Sequence, residues 1–358
     1  MSRRLLVTGA GTGATENLVR SLRAGEYGPV LIGCGSDRFI LAKASTGRRY
    51  LVPPSTEPGF VAALERLCQR EAIELVIPTS DDDVRALSDH RELFAGRVFL
   101  PARHVIDLCQ DKLELTDLLR KRGIAAPATE PVADLRNLDA IFAGLASAGP
   151  VWCRVRTGTR SLGAAPMRTV AQARAWIHYW EDMRGVPANA FTLSEYLPGR
   201  DFLCMSVWRD GMQILARTFE RLAYFGGENS PSGVSSLSSL AKTVRDERVL
   251  EASTAAIRAL DGEASGAFSV DLKEDRHGAP AITEINAGRF FIGMTAFESV
   301  AKHNMPEVFV RVALGEPVVV GEAYDAVEDY YLVRDLDTLP GLLHAGELFE
   351  GIEEIPDA

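Results

Sequence analysis

The sequence predicts a mixed fold, α/β in its first part and α+β beyond it, and three observations predict it. Over about the first hundred residues, short apolar runs alternate with helical patterns, which is the signature of parallel βαβ units. From residue 191 onward the pattern turns to strands following one another across short turns. The chain has 358 residues, 46% of them apolar and 25% charged, an ordinary globular balance with enough length for two or three packed domains.

Taken in order, residues 4–8 read as a strand and 9–13 as a glycine turn. Residues 14–22 are helical, with Leu18, Val19 and Leu22 on one stripe. Strands at 30–34, 75–78 and 98–100 alternate with helices at 60–70 and 82–93, giving a small Rossmann-like unit. Residues 105–122 form a charged helix that contains Gln110-Asp111-Lys112 and ends at Gly123, a good C-cap. The extended run 125–128 marks a boundary. A helix at 137–146 precedes a strand at 151–155 and a polar glycine loop, 156–163. After Thr169 a helix runs to about residue 183, with Trp176 and Trp180 packing at i, i+4. Strands follow at 192–197, 202–209 and 213–220, then a Gly/Ser-rich loop at 226–239 and an amphipathic helix at 248–260. Residues 267–273 and 281–286 form a hairpin across 275–278. Helices at 296–303 and 307–314 are broken by Pro306, and the tail holds one strand, 330–333, before an acidic end.

Composition excludes several classes. A net charge of −10 argues against broad contact with a nucleic-acid backbone. No stretch approaches the roughly 20 apolar residues of a membrane span. The first apolar run is only three residues long and a glycine turn follows, so it reads as a strand and not as a secretion signal. Cys34, Cys68, Cys109, Cys153 and Cys204 are scattered and never paired as C-x-x-C, which suits buried thiols in a reducing cytoplasm.

Four segments carry candidate chemistry. In the hairpin, Glu284 and Asn286 share one strand face, and the paired strand brings Asp271 beside them. Three oxygen donors then converge, as suits magnesium, which takes hard oxygens and few protein ligands; solvated residues on an outer sheet face are the alternative. The strand 151–155 places Arg154 in an apolar run, where a buried guanidinium needs an anion, and its glycine loop offers backbone N–H groups to phosphates; a surface turn is the alternative. Glu195, between a strand and Pro198-Gly199, can accept from an adenine amino group, and Asp201, six residues on, from ribose hydroxyls; two exposed hairpin acids are the alternative. Gly9-Ala10-Gly11-Thr12-Gly13-Ala14 departs from the dinucleotide fingerprint, with Asp37 as the only acid available to hold a ribose, and reads as a structural turn.

The order of these pieces resembles the ATP-grasp superfamily, in particular the carboxylate–amine ligases related to the large subunit of carbamoyl-phosphate synthase, over about residues 4 to 317. The resemblance implies a pre-ATP-grasp domain at 1–105, an ATP-grasp domain at 106–320 with a small lobe at about 125–195 and a large lobe at about 196–320, and an extension at 321–358. It implies ATP and magnesium, with manganese as an alternative ion, and small-molecule partners: a carboxylate and an amine, with an amino acid as the default for one of them. A homodimer is also implied, since related ligases are often dimers. By resemblance Lys112 and Arg154 contact ATP phosphates, under a loop including Thr157, Gly158, Thr159, Ser161 and Gly163. Glu195 binds the adenine amino group, with the backbone of Tyr196 and Leu197 beside it, and Asp201 holds the ribose. Asp271, Glu284 and Asn286 hold two magnesium ions, Arg289 stabilises an acyl phosphate, and Arg221 with the loop 226–239 belongs to the substrate side. The chain departs from the pattern in three ways. Arg154 replaces the usual lysine, as in carbamoyl-phosphate synthases; Val155 replaces the following proline; and Asn286-Ala287-Gly288-Arg289 is one residue longer than Asn-Pro-Arg. Two other readings stay open: a non-catalytic nucleotide-binding regulator on the same scaffold, and an NAD(P)-dependent oxidoreductase using the first glycine turn.

Overall fold

A computed structural model describes residues 2–145, 149–158, 161–235, 237–290, 294–335 and 341–346. The first eight elements are β1 (Arg4–Val7), α1 (Gly13–Ala24), β2 (Val30–Gly35), α2 (Arg38–Ala42), β3 (Arg48–Leu51), α3 (Gly59–Arg70), β4 (Leu75–Ile77) and α4 (Asp81–Asp89). Their strands form one parallel sheet in the order β3-β2-β1-β4. Two short helices follow, α5 (Arg103–Gln110) and α6 (Lys112–Lys121). Then come β5 (Thr129–Pro131), α7 (Leu138–Leu145), β6 (Val151–Val155), β7 (Ala165–Met167), α8 (Val170–Arg184) and β8 (Phe191–Glu195), whose strands pair antiparallel in the order β5-β8-β6-β7. The remainder supplies β9 (Asp201–Arg209), β10 (Met212–Tyr224), β11 (Ser238–Val244), α9 (Glu247–Leu260), β12 (Gly266–Glu274), β13 (Pro280–Ala287), α10 (Met305–Ala313), β14 (Tyr330–Val333) and β15 (Gly341–His344). These strands build a seven-stranded antiparallel sheet, β13-β12-β9-β10-β11-β14-β15.

The strand period of two decides where the core sits. In β9, Phe202, Cys204 and Trp208 enter one apolar cluster, while Leu203, Met205 and Val207 enter another. Leu6 joins the first cluster, and Leu5 and Val7 join the second. The parallel sheet and the seven-stranded sheet therefore share two cores. The four-stranded sheet keeps its own, built from Val132, Phe142, Val151, Cys153, Phe191 and their neighbours. The five cysteines are buried and unpaired, as their scatter in the sequence predicts. Among the described residues no helix is long and apolar enough to cross a membrane.

Several sequence expectations need correction. The helix expected over 105–122 is two helices, because Asp111 breaks it. Its backbone is extended (ψ 102°), and its side chain accepts from the N–H groups of Leu113 and Glu114, capping a new helix. Residues 98–100 form no strand; just before them the Arg97 carbonyl accepts from the Val76 N–H. Pro306 breaks nothing, since it lies in the first turn of α10, where its missing N–H costs no hydrogen bond. The segment before it is a 3-10 turn, Met294–Ser299, and not an α-helix. The loop expected at 226–239 gives way to β11 at Ser238, and β10 runs on to Tyr224.

The loop carrying Asp325, after α10, is tied in by a buried charge cluster. Arg217 Nη1 donates to Glu298 Oε1 at 2.9 Å and Nη2 to Asp325 Oδ2 at 2.6 Å, and the side chains are 0–3% exposed. The backbone N–H groups of Lys302 and His303 also donate to Asp325. Asp325→Ala leaves the guanidinium short of a carboxylate in the interior, so urea denaturation should show a loss of about 3–5 kcal/mol. A loss below about 1 kcal/mol would mean that the cluster contributes little.

Candidate active site

The hairpin of β12 and β13 sets the centre of the site. Asp271 lies opposite Glu284 and Ser269 opposite Asn286, and β13 then carries one extra residue, Thr283, before the register resumes at Leu272 and Ile282. Such a bulge re-aims a side chain or carbonyl locally. Here the Thr283 carbonyl accepts from Arg154 Nη2 at 3.2 Å, and the Thr283 hydroxyl donates to the Asp271 carbonyl. The three predicted oxygen residues thus stand on one face of one hairpin. Asn286 Nδ2 donates to Asp271 Oδ2 at 3.2 Å.

Around them lie four cations, three on different elements and one in the bend after β13. Arg221, on β10, is the cross-strand partner of Asp201. It reaches Asp201 Oδ1 at 2.7 Å and Asp271 Oδ1 at 2.7 Å, and Tyr224 closes the group by donating to Asp201 Oδ2 at 2.6 Å. Burial works against the charge of Arg221, but Asp201 and Asp271 outweigh it and hold the group protonated. Arg289 donates to Asn286 Oδ1 at 2.6 Å and to Asp81 Oδ1 at 2.5 Å. Lys112, the first residue of α6, is buried; its Nζ donates to the Gly158 carbonyl at 2.7 Å and lies 3.9 Å from Glu284 Oε2. Arg154 is the fourth. It is 9% exposed, its Nε has no hydrogen-bond partner, and the Thr283 carbonyl is the acceptor found for its guanidinium. Burial pulls its pKa down, while the charges of Glu284 and Asp271 push the other way. A buried guanidinium with an idle N–H is the arrangement an incoming anion would satisfy.

The glycine loop is fastened to α6 at its base. Arg156 forms an ion pair with Asp111 at 2.6 Å, the Lys112 N–H donates to the Arg156 carbonyl, and Thr157 bridges to Asp111. Ser161 and Gly163 both have positive φ, 56° and 61°. At Gly163 a Cβ would come within 2.8 Å of the Phe191 ring and 2.9 Å of Val155, so only glycine fits there. Thr159 lies outside the described residues.

These groups open on a cavity of about 1010 Å³, at the upper end for small-molecule sites. Glu195, Tyr196 and Leu197 line it at the end of β8, as do Lys112, Arg154, Ser161, Asp201, Arg221, Asp271, Glu284, Asn286 and Arg289. A smaller adjoining space of about 300 Å³ is lined by Thr157 and Gly158 together with Lys112 and Glu284. Glu195 has a distant ionic partner, Arg276, at 3.9 Å. Asp201 differs from the sequence expectation in one respect: both its oxygens already accept, from Arg221 and Tyr224.

Sequence reasoning overlooked several participants. Trp152 lines the cavity two residues before Arg154, with its ring 6.3 Å from that of Tyr196. The strand period that places Arg154 could have found it. Asp81 sits 208 positions from Arg289, and nothing local selects it from the run Asp81-Asp82-Asp83. The first glycine turn also faces this cavity through Gly9, Thr12 and Gly13. Gly11 needs to be glycine because a Cβ there would lie 1.9 Å from the Ile40 carbonyl oxygen. Asp37 spends its side chain capping α2, accepting from Phe39 and Ile40, so it offers no ribose acceptor of the dinucleotide kind.

The described residues contain no group of three or more His, Cys, Asp and Glu side chains suited to a metal. The hairpin set is two carboxylates and one amide. That is short of a closed cage, and it suits a hard cation that completes its shell with phosphate oxygens and water.

No protein-family model and no curated protein sequence matches the chain. Solved structures do. An L-amino acid ligase from Bacillus licheniformis matches with TM-score 0.68 at 11% identity, over 92% of this chain and 78% of that one. An N5-carboxyaminoimidazole synthetase from Staphylococcus aureus, complexed with ADP, matches with TM-score 0.71 at 12% identity, over 94% and 83%. A biotin carboxylase from Campylobacter jejuni, in complex with a nucleotide, matches with TM-score 0.67 at 12% identity, over 92% and 74%. These are ATP-grasp enzymes, and the chain has the ATP-grasp fold.

Arg154 gives a prediction that needs no ligand. Replacing a buried, poorly paired guanidinium by an apolar chain of similar length is often neutral or stabilising. In urea denaturation without ligands, Arg154→Met should therefore equal the wild type or exceed it by about 1 kcal/mol. A large loss of stability would show that Arg154 holds the fold together instead.

Proposed function

We propose that the chain is an ATP-dependent ligase that activates a small carboxylate as an acyl phosphate and joins it to an amine, releasing ADP and phosphate. The observation that carries this is Arg154. It is a buried guanidinium with an idle N–H, aimed into a large cavity beside two carboxylates and three further cations. A triphosphate with its magnesium answers both charges at once: the phosphates meet the guanidinium and ammonium groups, and the metal meets Asp271, Glu284 and Asn286. The likeness to an amino acid ligase, a carboxyaminoimidazole synthetase and a biotin carboxylase supports the same class.

In this reading Lys112 and Arg154 would grip phosphate oxygens, and the N–H groups of Thr157, Gly158, Ser161 and Gly163 would close over them. Lys112 is placed for this because Asp111 starts a helix immediately before it. Trp152 and Tyr196 would supply apolar surface for the base, and the Glu195 carboxylate would accept from its amino group. Magnesium, when bound, neutralises the phosphate charge and orients the terminal phosphoryl group. Arg289, pinned between Asp81 and Asn286, faces the carboxylate to be activated and stabilises the oxyanion formed when the amine attacks. A carboxylate resists amine attack because of its charge and resonance, and phosphorylation supplies a leaving group. Phosphoryl transfer asks for positioning and charge neutralisation more than for a protein nucleophile, which accounts for a site built from cations and acids.

The deciding experiment is magnesium-dependent ADP release from ATP, screened over pairs of amino acids and small carboxylic acids. Release that requires one carboxylate and rises with one amine supports the ligase and names both substrates. ATP binding without turnover across the panel favours the regulatory alternative. Glu284→Ala should keep the far-UV circular dichroism of the wild type and lower turnover by at least about a hundredfold, the scale of a lost metal contact. Turnover at the wild-type rate would remove Glu284 from the metal set.

A further inference from the structure

Two of the three oxygen residues assigned to the metal already carry a guanidinium. Asp271 Oδ1 is 2.7 Å from Arg221 Nη1, and Asn286 Oδ1 accepts from Arg289 Nη2 at 2.6 Å. Asp271 Oδ2 is also engaged, by the amide of Asn286 at 3.2 Å. Asp271 Oδ2 and Asn286 Oδ1 each accept a hydrogen bond, whereas Asp271 Oδ1 faces Arg221 Nη1 as an ion pair with no directed hydrogen bond. The outer donors are buried charges: the side chains of Arg221 and Arg289 are 9% and 14% exposed. A guanidinium and a divalent cation on one carboxylate repel each other where solvent screens them poorly, so the ion pair weakens the binding of a metal that has no phosphate beside it.

Arg221 is held so that one bond can change without the others. Its Nε and Nη2 lie 2.8 and 2.7 Å from Asp201 Oδ1, and Asp201 is fixed from its other oxygen by the Tyr224 hydroxyl at 2.6 Å. Nη1 spans the gap to Asp271 at 2.7 Å, while Nη2 also donates to the Phe202 carbonyl. We propose, resting on the function above, that Arg221 is an exchangeable counter-ion for Asp271. In the free protein it holds the carboxylate aligned, and it opposes a metal that arrives alone. When metal and nucleotide arrive together, Nη1 leaves Asp271 for a phosphate oxygen, and the guanidinium stays on Asp201 throughout. The exchange ties metal binding to nucleotide binding, and the coupling works equally in both directions. Asp201 is then a positioning residue for Arg221.

The test is manganese binding to the full chain, read from the electron paramagnetic resonance signal of the free ion, and ADP affinity with and without manganese. Arg221→Met should bind manganese alone about tenfold more tightly than the wild type, the size of one charge-assisted contact. The same variant should lose part of the gain in ADP affinity that manganese confers. A residue that only contacts phosphate would leave manganese-alone affinity unchanged, and a merely structural one would weaken both; either result overturns the proposal. If Arg221→Met does not fold, Arg221→Lys keeps the charge but not the forked geometry. It should shift manganese-alone affinity in the same direction by less, and no shift again overturns the proposal. If the wild type binds no manganese even with ADP, the underlying ligase reading fails, and this inference fails with it.

Discussion

The extra residue at Thr283, where β13 slips by one against β12, is the local constraint on which the site depends. Above it, the pairing sets Asp271 against Glu284, with Asn286 two residues along on the same face. At the bulge, the Thr283 carbonyl turns toward Arg154 on a different sheet and gives the buried guanidinium the acceptor found for it. A regular hairpin would send that carbonyl into its own ladder and leave Arg154 without it. The central strands of the large sheet continue the pattern. Asp201 faces Arg221 on one side and Lys273 on the other, so three neighbouring strands add to one charged surface.

That surface holds several buried cations whose carboxylate partners also serve as the candidate metal ligands. Such a cluster is expensive as a pure stability device, since burying ions costs more than their pairing returns unless every group is satisfied. The contrast within the molecule is instructive. Arg217 has two carboxylates and no exposed atoms to spare, and it fixes the loop carrying Asp325. Arg154 has neither carboxylate nor full hydrogen bonding, and it faces the cavity. The first arrangement suits a structural role and the second suits a group kept for a ligand. The four-stranded sheet that carries Arg154 has a core of its own, whereas the other two sheets share theirs.

Much of this was legible in the sequence, for physical reasons. Period-two placement brings Glu284 and Asn286 to one face, and it requires an anion for Arg154. The alternation of strands and helices announces the parallel sheet. What the sequence hid was set by contacts far along the chain. Asp111 caps a new helix and also receives Arg156 and Thr157 from the glycine loop, and a helical pattern running straight through 105–122 conceals the break. The first two residues of β11, Ser238 and Ser239, fell in the expected loop, and the strand they begin pairs with β10 and β14. Asp81 meets Arg289 only once the first sheet packs against the last hairpin. Asp201 looked free for a sugar hydroxyl until folding placed Arg221 and Tyr224 on both its oxygens.

The central claim is that the hairpin acids and the Arg154 strand together bind a metal-bound nucleotide. The most direct test is the affinity of the protein for ADP, measured by calorimetry with and without magnesium. The account predicts that magnesium tightens ADP by at least about tenfold, because the metal joins the phosphates to Asp271, Glu284 and Asn286. Equal affinity in the two conditions, or no ADP binding in either, would contradict it.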